Sequence, residues 1–329
     1  MNFHLDIEFE DAVNATSEYF KLRAVLIEKD YWVTYVLKNL SQSEYFDKVI
    51  FKGGTSLSKA YNCIERFSED IDLALLNKEK LSNDKCYKLM KRIEPEITKE
   101  LKSIEGKPSD KMQKKRVTYY SYPRIIKGEI GVVKDKIQIE INTFTNPVPF
   151  EEKQIQSFVG QFLTIKGINV QVSKHMLEPF KLLVLTRERT FFEKLLSLIR
   201  LSYAGTDSLR EKIRHFYDMY KLYQQKDLSD TLFSETNFKL IKLALQDDES
   251  NNIFSGDWIQ NKLSGSPLFV DINELWKELE STYRKELGEL IWHNNLPSSE
   301  EIISLLIKIK VFLEDFDKMY PLNKNNNPK

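Results

Sequence analysis

The sequence predicts an α+β amino-terminal domain followed by a helical carboxy-terminal domain. Three observations carry this expectation. β-like runs and helical patterns interleave up to about residue 176. One of those runs, Lys136 to Phe144, alternates cleanly, with Ile137, Ile139 and Ile141 on one face and Gln138, Glu140 and Asn142 on the other. Beyond Met176 apolar residues recur at helical spacing in one segment after another.

Taken in order, the first 40 residues read as helix, with Val25, Leu26, Trp32, Val33, Val36, Leu37 and Leu40 forming its apolar face. A short β-like run, Lys48 to Phe51, leads through Gly53 and Gly54 into a helix reaching about Tyr61. A second strand is expected over Ile71 to Leu76, and a charged helix over Asp84 to Ile104. Strands follow over Arg116 to Tyr122 and Lys136 to Phe144, with a weaker pair at Phe162 to Ile165 and Val170 to Val172. Helices are then expected over Glu178–Thr186, Phe191–Ser202, Ser208–Tyr223, Phe238–Leu245, Ile272–Leu290 and Glu300–Met319. The domains expected are thus 1–176 and 177–322, with 323–329 a disordered tail.

Composition narrows the function classes. The 329 residues carry 49 Lys and Arg against 49 Asp and Glu, so any nucleic-acid partner must be held by a local patch, not by the field of the whole protein. Hydrophobic residues make up 41 %, enough to bury one or two cores. No apolar run approaches the ~20 residues that span a bilayer, and the acidic start lacks the pattern of a signal peptide. Two cysteines, Cys63 and Cys86, and four histidines make neither a disulfide framework nor a zinc site. A reducing cytoplasm without membrane attachment is the expected location.

Three local features carry chemistry. Gly53-Gly54-Thr55-Ser56 sits between a strand and a helix, where glycines let backbone amides approach a phosphate closely. Such a turn is also an ordinary structural device. Asp70 and Asp72 project from one face of a strand, with Ile71 and Leu73 on the other. Paired carboxylates suit Mg²⁺, although a solvated edge strand gives the same pattern. Glu140 is the central polar residue of the Ile137–Ile141 alternation, and alone it would pass as a wet-face residue. Together the three supply what nucleotidyl transfer requires: a turn for phosphates, a carboxylate pair bridging two metal ions and a third acid beside the attacking hydroxyl.

The sequence resembles the AbiEii/AbiGii nucleotidyltransferases, toxins of type IV (abortive infection) toxin–antitoxin systems within the DNA polymerase β-like superfamily. The resemblance lies in Glu28-Lys29-Asp30-Tyr31-Trp32, Phe51-Lys52-Gly53-Gly54-Thr55-Ser56-Leu57 and Arg66-Phe67-Ser68-Glu69-Asp70-Ile71-Asp72-Leu73. It continues through Ile139-Glu140-Ile141, Arg189-Thr190-Phe191-Phe192-Glu193-Lys194-Leu195 and Arg214-His215-Phe216-Tyr217-Asp218-Met219-Tyr220. The glycine motif and the Asp-x-Asp motif are the specific ones, and no motif is visible beyond about residue 225. The resemblance implies a polymerase β-like domain with a mixed sheet, and a helical domain that completes the active-site cleft. It puts Gly53, Gly54, Thr55 and Ser56 on the phosphate-binding turn, and two Mg²⁺ ions on Asp70, Asp72 and Glu140. It gives Lys194 to the triphosphate and makes Asp218 necessary for activity. It implies an NTP substrate, an RNA acceptor such as the tRNA 3′ end with translation blocked as the result, and a cognate antitoxin. The 15 residues between Gly54 and Asp70 slightly exceed the usual superfamily spacing.

Local reading opposes the resemblance at several positions. On a helical wheel Leu209, Ile213, Phe216 and Tyr220 form the apolar stripe and Asp218 falls opposite, where it could pair with Arg214 on a solvated face. Thr190 and Glu193 have capping-box spacing. Ser68 could touch phosphate or merely cap the start of the strand. Tyr217 and Tyr220 could stack on a base, but aromatics at helical spacing belong more often to a core, as Tyr31 and Trp32 are expected to. Lys99 to Arg116 holds seven basic residues against three acids, a stretch suited to a polynucleotide backbone or simply to solvent. Two rival functions stay open: nucleotide transfer to a small molecule, and nucleotide binding without catalysis.

Overall fold

The computed structural model describes residues 1–104, 109–110, 113–128, 134–251, 257–292 and 295–321. They fall into two compact units, Met1–Thr186 and Arg187–Lys329. The tail expected to be disordered, 323–329, lies outside the described residues. So do Lys107 and Lys111 of the basic stretch.

The first unit is built on a mixed sheet of eight strands: β1 (Val49–Lys52), β2 (Ile71–Leu75), β3 (Lys102–Ser103), β4 (Ser109–Asp110), β5 (Lys115–Ser121), β6 (Ile137–Asn142), β7 (Phe150–Ile155) and β8 (Phe180–Leu185). Their order is β3-β5-β6-β2-β1-β8-β7, with β4 paired to β5. β2 runs parallel to β6, and β1 parallel to β8; the other pairs are antiparallel. The helices of this unit are α1 (Phe9–Phe20), α2 (Ala24–Ser41), α3 (Gly53–Lys59), α4 (Asn83–Thr98), α5 (Phe158–Ile165) and α6 (Asn169–Lys174). The single helical stretch expected at the start is broken at Lys21, which takes a left-handed conformation and donates its N–H to the Ser17 carbonyl.

α2 is the core helix of this unit, packing on α1, α4, α5 and β8. It is buried nearly all round, Tyr31 and Trp32 included, as a central helix must be. It also buries Glu28, Lys29 and Asp30, and each has a partner. Glu28 accepts the backbone N–H groups of Ile125 and Ile126. Lys29 pairs with Glu69, and Asp30 with Lys59.

Several segments depart from the sequence expectation, the end of the helix expected over Asp84–Ile104 among them, since α4 stops at Thr98 and Lys102–Ser103 is β3. Phe162–Ile165 and Val170–Val172 lie in α5 and α6, not in strands. Ser157 caps α5 by accepting the Gly160 N–H, and Val159, Phe162 and Leu163 bury one helical face. The helix expected over Glu178–Thr186 is instead β8, flanked by β1 and β7. A strand inside a sheet is a continuous apolar run, and periodicity alone does not separate it from a buried helix. β7 was not anticipated, because its Glu151, Glu152 and Lys153 are the charges of an edge strand. The first unit therefore extends through β8, beyond the boundary expected at residue 176.

The second unit is helical: α7 (Arg187–Ser202), α8 (Thr206–Arg210), α9 (Arg214–Tyr223), α10 (Lys226–Leu232), α11 (Phe238–Glu249), α12 (Ile272–Gly288) and α13 (Ser299–Met319). The single helix expected over 208–223 is divided into α8 and α9 by a turn of i→i−3 bonds at Lys212 and Ile213. α9 packs on α7, α10, α12 and α13. Phe312 gathers Phe192, Phe233 and Phe238, while Trp276 meets Phe216 and Tyr283. Among the described residues, no helix is long and apolar enough to cross a membrane.

Candidate active site

The three acids are brought together by strand pairing. Asp72 on β2 stands in register with Glu140 on parallel β6 and with Lys52 on antiparallel β1. Val117 on β5 faces Glu140 in turn. Val117, Glu140, Asp72 and Lys52 thus form one row across four strands, on one face of the sheet. Asp70 lies just before β2, two residues from Asp72 and on the same side. The opposite face carries Ile71, Leu73, Ile137, Ile139 and Ile141, all buried. The alternation therefore sends carboxylates one way and apolar mass the other.

The glycine turn lies against this row. Gly53 has φ +80°, and a Cβ placed on it would come within 2.1 Å of Asp72 Oδ2. A Cβ on Gly54 would come within 2.6 Å of Arg66 Nη2 and 2.9 Å of Ser68 Oγ. Only glycine admits both the backbone conformation and the approach at position 53. The hydroxyls of the turn are used internally. Thr55 Oγ1 donates to the Asp70 carbonyl at 2.6 Å and reaches Ser68 Oγ at 3.0 Å, and Ser56 Oγ donates to the Gly53 carbonyl at 2.9 Å. Ser68 is therefore tied to the turn.

Two of the acids hold lysines. Lys134 Nζ lies 3.3 and 3.4 Å from the two oxygens of Asp70. Lys115 Nζ lies 2.5 Å from Glu140 Oε2, and Asn142 Nδ2 donates to Glu140 Oε1 at 3.1 Å. Among the described residues, no three His, Cys, Asp or Glu side chains are gathered to hold an ion as they stand. The donor chemistry still fits a divalent cation. All three candidates are hard oxygen donors, two are in register on neighbouring strands, and both Asp70 and Glu140 already attract a cationic nitrogen.

In the second unit Lys194 Nζ and Asp218 Oδ2 pair at 2.9 Å, with the Asp218 side chain wholly buried. The solvated-face reading of Asp218 is thereby overturned. α9 runs among four other helices, so Asp218 meets α7 and not water. Arg214 pairs instead with Glu286 at 3.8 Å. Tyr217 and Tyr220 are buried as core residues. Thr190 lies inside α7, not at its start, so it forms no capping box, and Glu193 accepts from Arg189.

The sequence profile described as "Nucleotidyl transferase AbiEii toxin, Type IV TA system" matches residues 35–304. The chain belongs to the AbiEii nucleotidyltransferase toxin family. No curated protein sequence matches it. MenT4, a nucleotidyltransferase toxin from Mycobacterium tuberculosis H37Rv, is structurally similar, with a TM-score of 0.52 at 14 % identity over 96 % of this chain and 95 % of that one. JHP933 from Helicobacter pylori aligns with a TM-score of 0.43 at 15 % identity, over 89 % and 94 % of the two chains. At these identities the MenT4 likeness speaks for the fold alone.

For an AbiEii-family chain, the contacts of Lys115 and Lys134 with the acids were what sequence reading missed. Nothing in their spacing announces them. Lys115 reaches Glu140 only because β5 pairs with β6, and Lys134 reaches Asp70 from 64 residues away. Two described residues of the basic stretch also part company. Lys115 shares the face of Glu140, whereas Arg116 points to the other face and pairs with Glu94 of α4. Lys115 and Arg116 therefore do not share a patch. The glycine turn makes a testable case. Gly167→Ala, with φ +73° but nothing within 4 Å, should cost about 1–2 kcal/mol for the left-handed backbone alone, and Gly53→Ala should cost more because it also displaces Asp72. Urea unfolding midpoints of the two variants check this.

Proposed function

We propose that this AbiEii-family chain transfers a nucleoside monophosphate from an NTP to an RNA hydroxyl, the tRNA 3′ end being the acceptor the family resemblance indicates. The observation that carries this reading is the row of Glu140 and Asp72, with Asp70 beside it, set against the Gly53 turn. Asp70 and Asp72 would hold two Mg²⁺ ions, and Glu140 the one nearer the acceptor. Bound there, the ions would neutralise the triphosphate, acidify the acceptor hydroxyl and stabilise the leaving pyrophosphate. The backbone amides of the Gly53–Ser56 turn would meet the phosphates, with Ser68 fixing the turn through Thr55. Lys115 and Lys134 pair with Glu140 and Asp70, the carboxylates that would hold the cations. The resemblance gives Lys194 to the triphosphate, and Asp218 holds its ammonium. The acceptor oxygen attacks the α-phosphorus in line, and pyrophosphate leaves. The reading places the protein in the cytoplasm under the control of a cognate antitoxin.

The test is incubation of the purified protein with Mg²⁺, total RNA and each α-labelled NTP in turn. Label on one RNA size class with one NTP supports the reading and identifies both substrates. Folded protein that labels no RNA in the presence of Mg²⁺ refutes it; label found on a small molecule would move the acceptor to that class. With Lys115 and Arg116 on opposite faces of the sheet, the choice of RNA rests on the resemblance.

A further inference from the structure

We infer that Lys29 is a positioning residue for the acidic site, acting on Asp70 through Glu69; the inference rests on the reading of that site as a cation site. Lys29 belongs to the Glu28-Lys29-Asp30 run, to which nucleotidyl transfer as written above assigns no task. Its side chain is wholly buried, and its ammonium donates to the Glu69 carboxylate and to the Lys134 carbonyl. Glu69 in turn accepts the Lys134 backbone N–H at 3.2 and 3.0 Å. These contacts close a triangle between α2, the residue preceding Asp70 and the backbone of Lys134. Both groups that meet at the acid are thus held from behind: Asp70 by its neighbour Glu69, and the lysine on Asp70 by its own main chain. The Asp70 carbonyl is fixed from the other side by Thr55.

Stability does not explain such a pair. Burying two charges costs desolvation that their attraction barely repays, and apolar substitutes commonly fold as well or better. What a buried lysine and glutamate provide here is direction, because a two-pronged carboxylate and an ammonium fix three segments at once. Partners of this kind behind a ligating carboxylate set how well it holds an ion. Asp30, on the next residue of α2, supplies the natural comparison. It too is buried and paired, with Lys59 and with the Phe158 N–H at 2.8 Å, but it touches neither Asp70 nor its neighbours in these contacts.

The experiment is calorimetric titration of the full chain with Mn²⁺ alone, alongside thermal unfolding. Lys29→Met leaves Glu69 buried without its cation and risks misfolding, so the Lys29→Met/Glu69→Gln double variant, which leaves no charge there, is the decisive one. The matched comparison is Asp30→Asn/Lys59→Met. We expect Mn²⁺ binding to weaken about 10-fold or more in the Lys29/Glu69 variant and to stay within about 2-fold of wild type in the Asp30/Lys59 variant, whatever either does to the melting temperature. Unchanged Mn²⁺ affinity in the Lys29/Glu69 variant, or equal weakening in both, overturns the inference. Wild-type protein that takes up no Mn²⁺ overturns the cation reading itself, and with it the basis of this one.

Discussion

Asp72→Asn should abolish nucleotidyl transfer, lowering the rate by at least about 10³-fold, while leaving the melting temperature close to that of wild type. The substitution keeps the shape of the side chain and removes one negative charge from a row where Asp72 and Glu140 stand in register. Like charges at neighbouring positions of a sheet repel, so their removal carries little structural cost. The chemistry, by contrast, depends on that charge. A neutral amide would hold a divalent cation poorly and would leave the triphosphate uncompensated. Single-turnover labelling of RNA, with circular dichroism beside it, measures both halves of the expectation. A folded Asp72→Asn protein that still labels RNA at a tenth of the wild-type rate would remove Asp72 from the cation site.

Asp218→Ala should act in the opposite way, on the fold first. It strands the Lys194 ammonium in the interior of the helical unit, where Lys194 is itself only 7 % exposed. Breaking a buried pair from one side typically costs about 3–5 kcal/mol. Removing both charges, as in Lys194→Met/Asp218→Asn, should recover most of that loss. Chemical denaturation of the single and double variants gives the coupling between the two residues. The labelling assay then separates two roles. If the double variant regains stability but not activity, the pair serves the reaction. If it regains both, the pair serves only the fold, and the roles carried by resemblance fail for these two residues.

How much of this was legible in advance can be argued residue by residue. The Ile137–Asn142 alternation identified its strand, its buried apolar face and the place of Glu140 on the other face, because a strand writes its two faces directly into the sequence. The Asp70–Asp72 spacing and the Gly53–Gly54 turn were legible for the same local reason. β8 was not: its apolar run has no period to betray whether it is strand or helix, and only its place between β1 and β7 settles that. Periodicity alone put Asp218 on a solvated face, because a helical wheel has one outside, whereas α9 has helices on several sides.

The sequence by itself determined the fold class, the family motifs and which acids lie on the polar side of their strands. These depend on residue type, on spacing along the chain and on backbone periodicities of 2.0 and 3.6, all of which are local. Only the tertiary structure decided that Glu140 stands beside Asp72, that Gly53 must be bare because Asp72 lies against it, and that Lys115 meets Glu140, Lys134 meets Asp70 and Lys29 meets Glu69. Those relations come from strand order and register, which join residues tens of positions apart. They are selected by the burial of the whole apolar face at once, and no window of the chain contains that information.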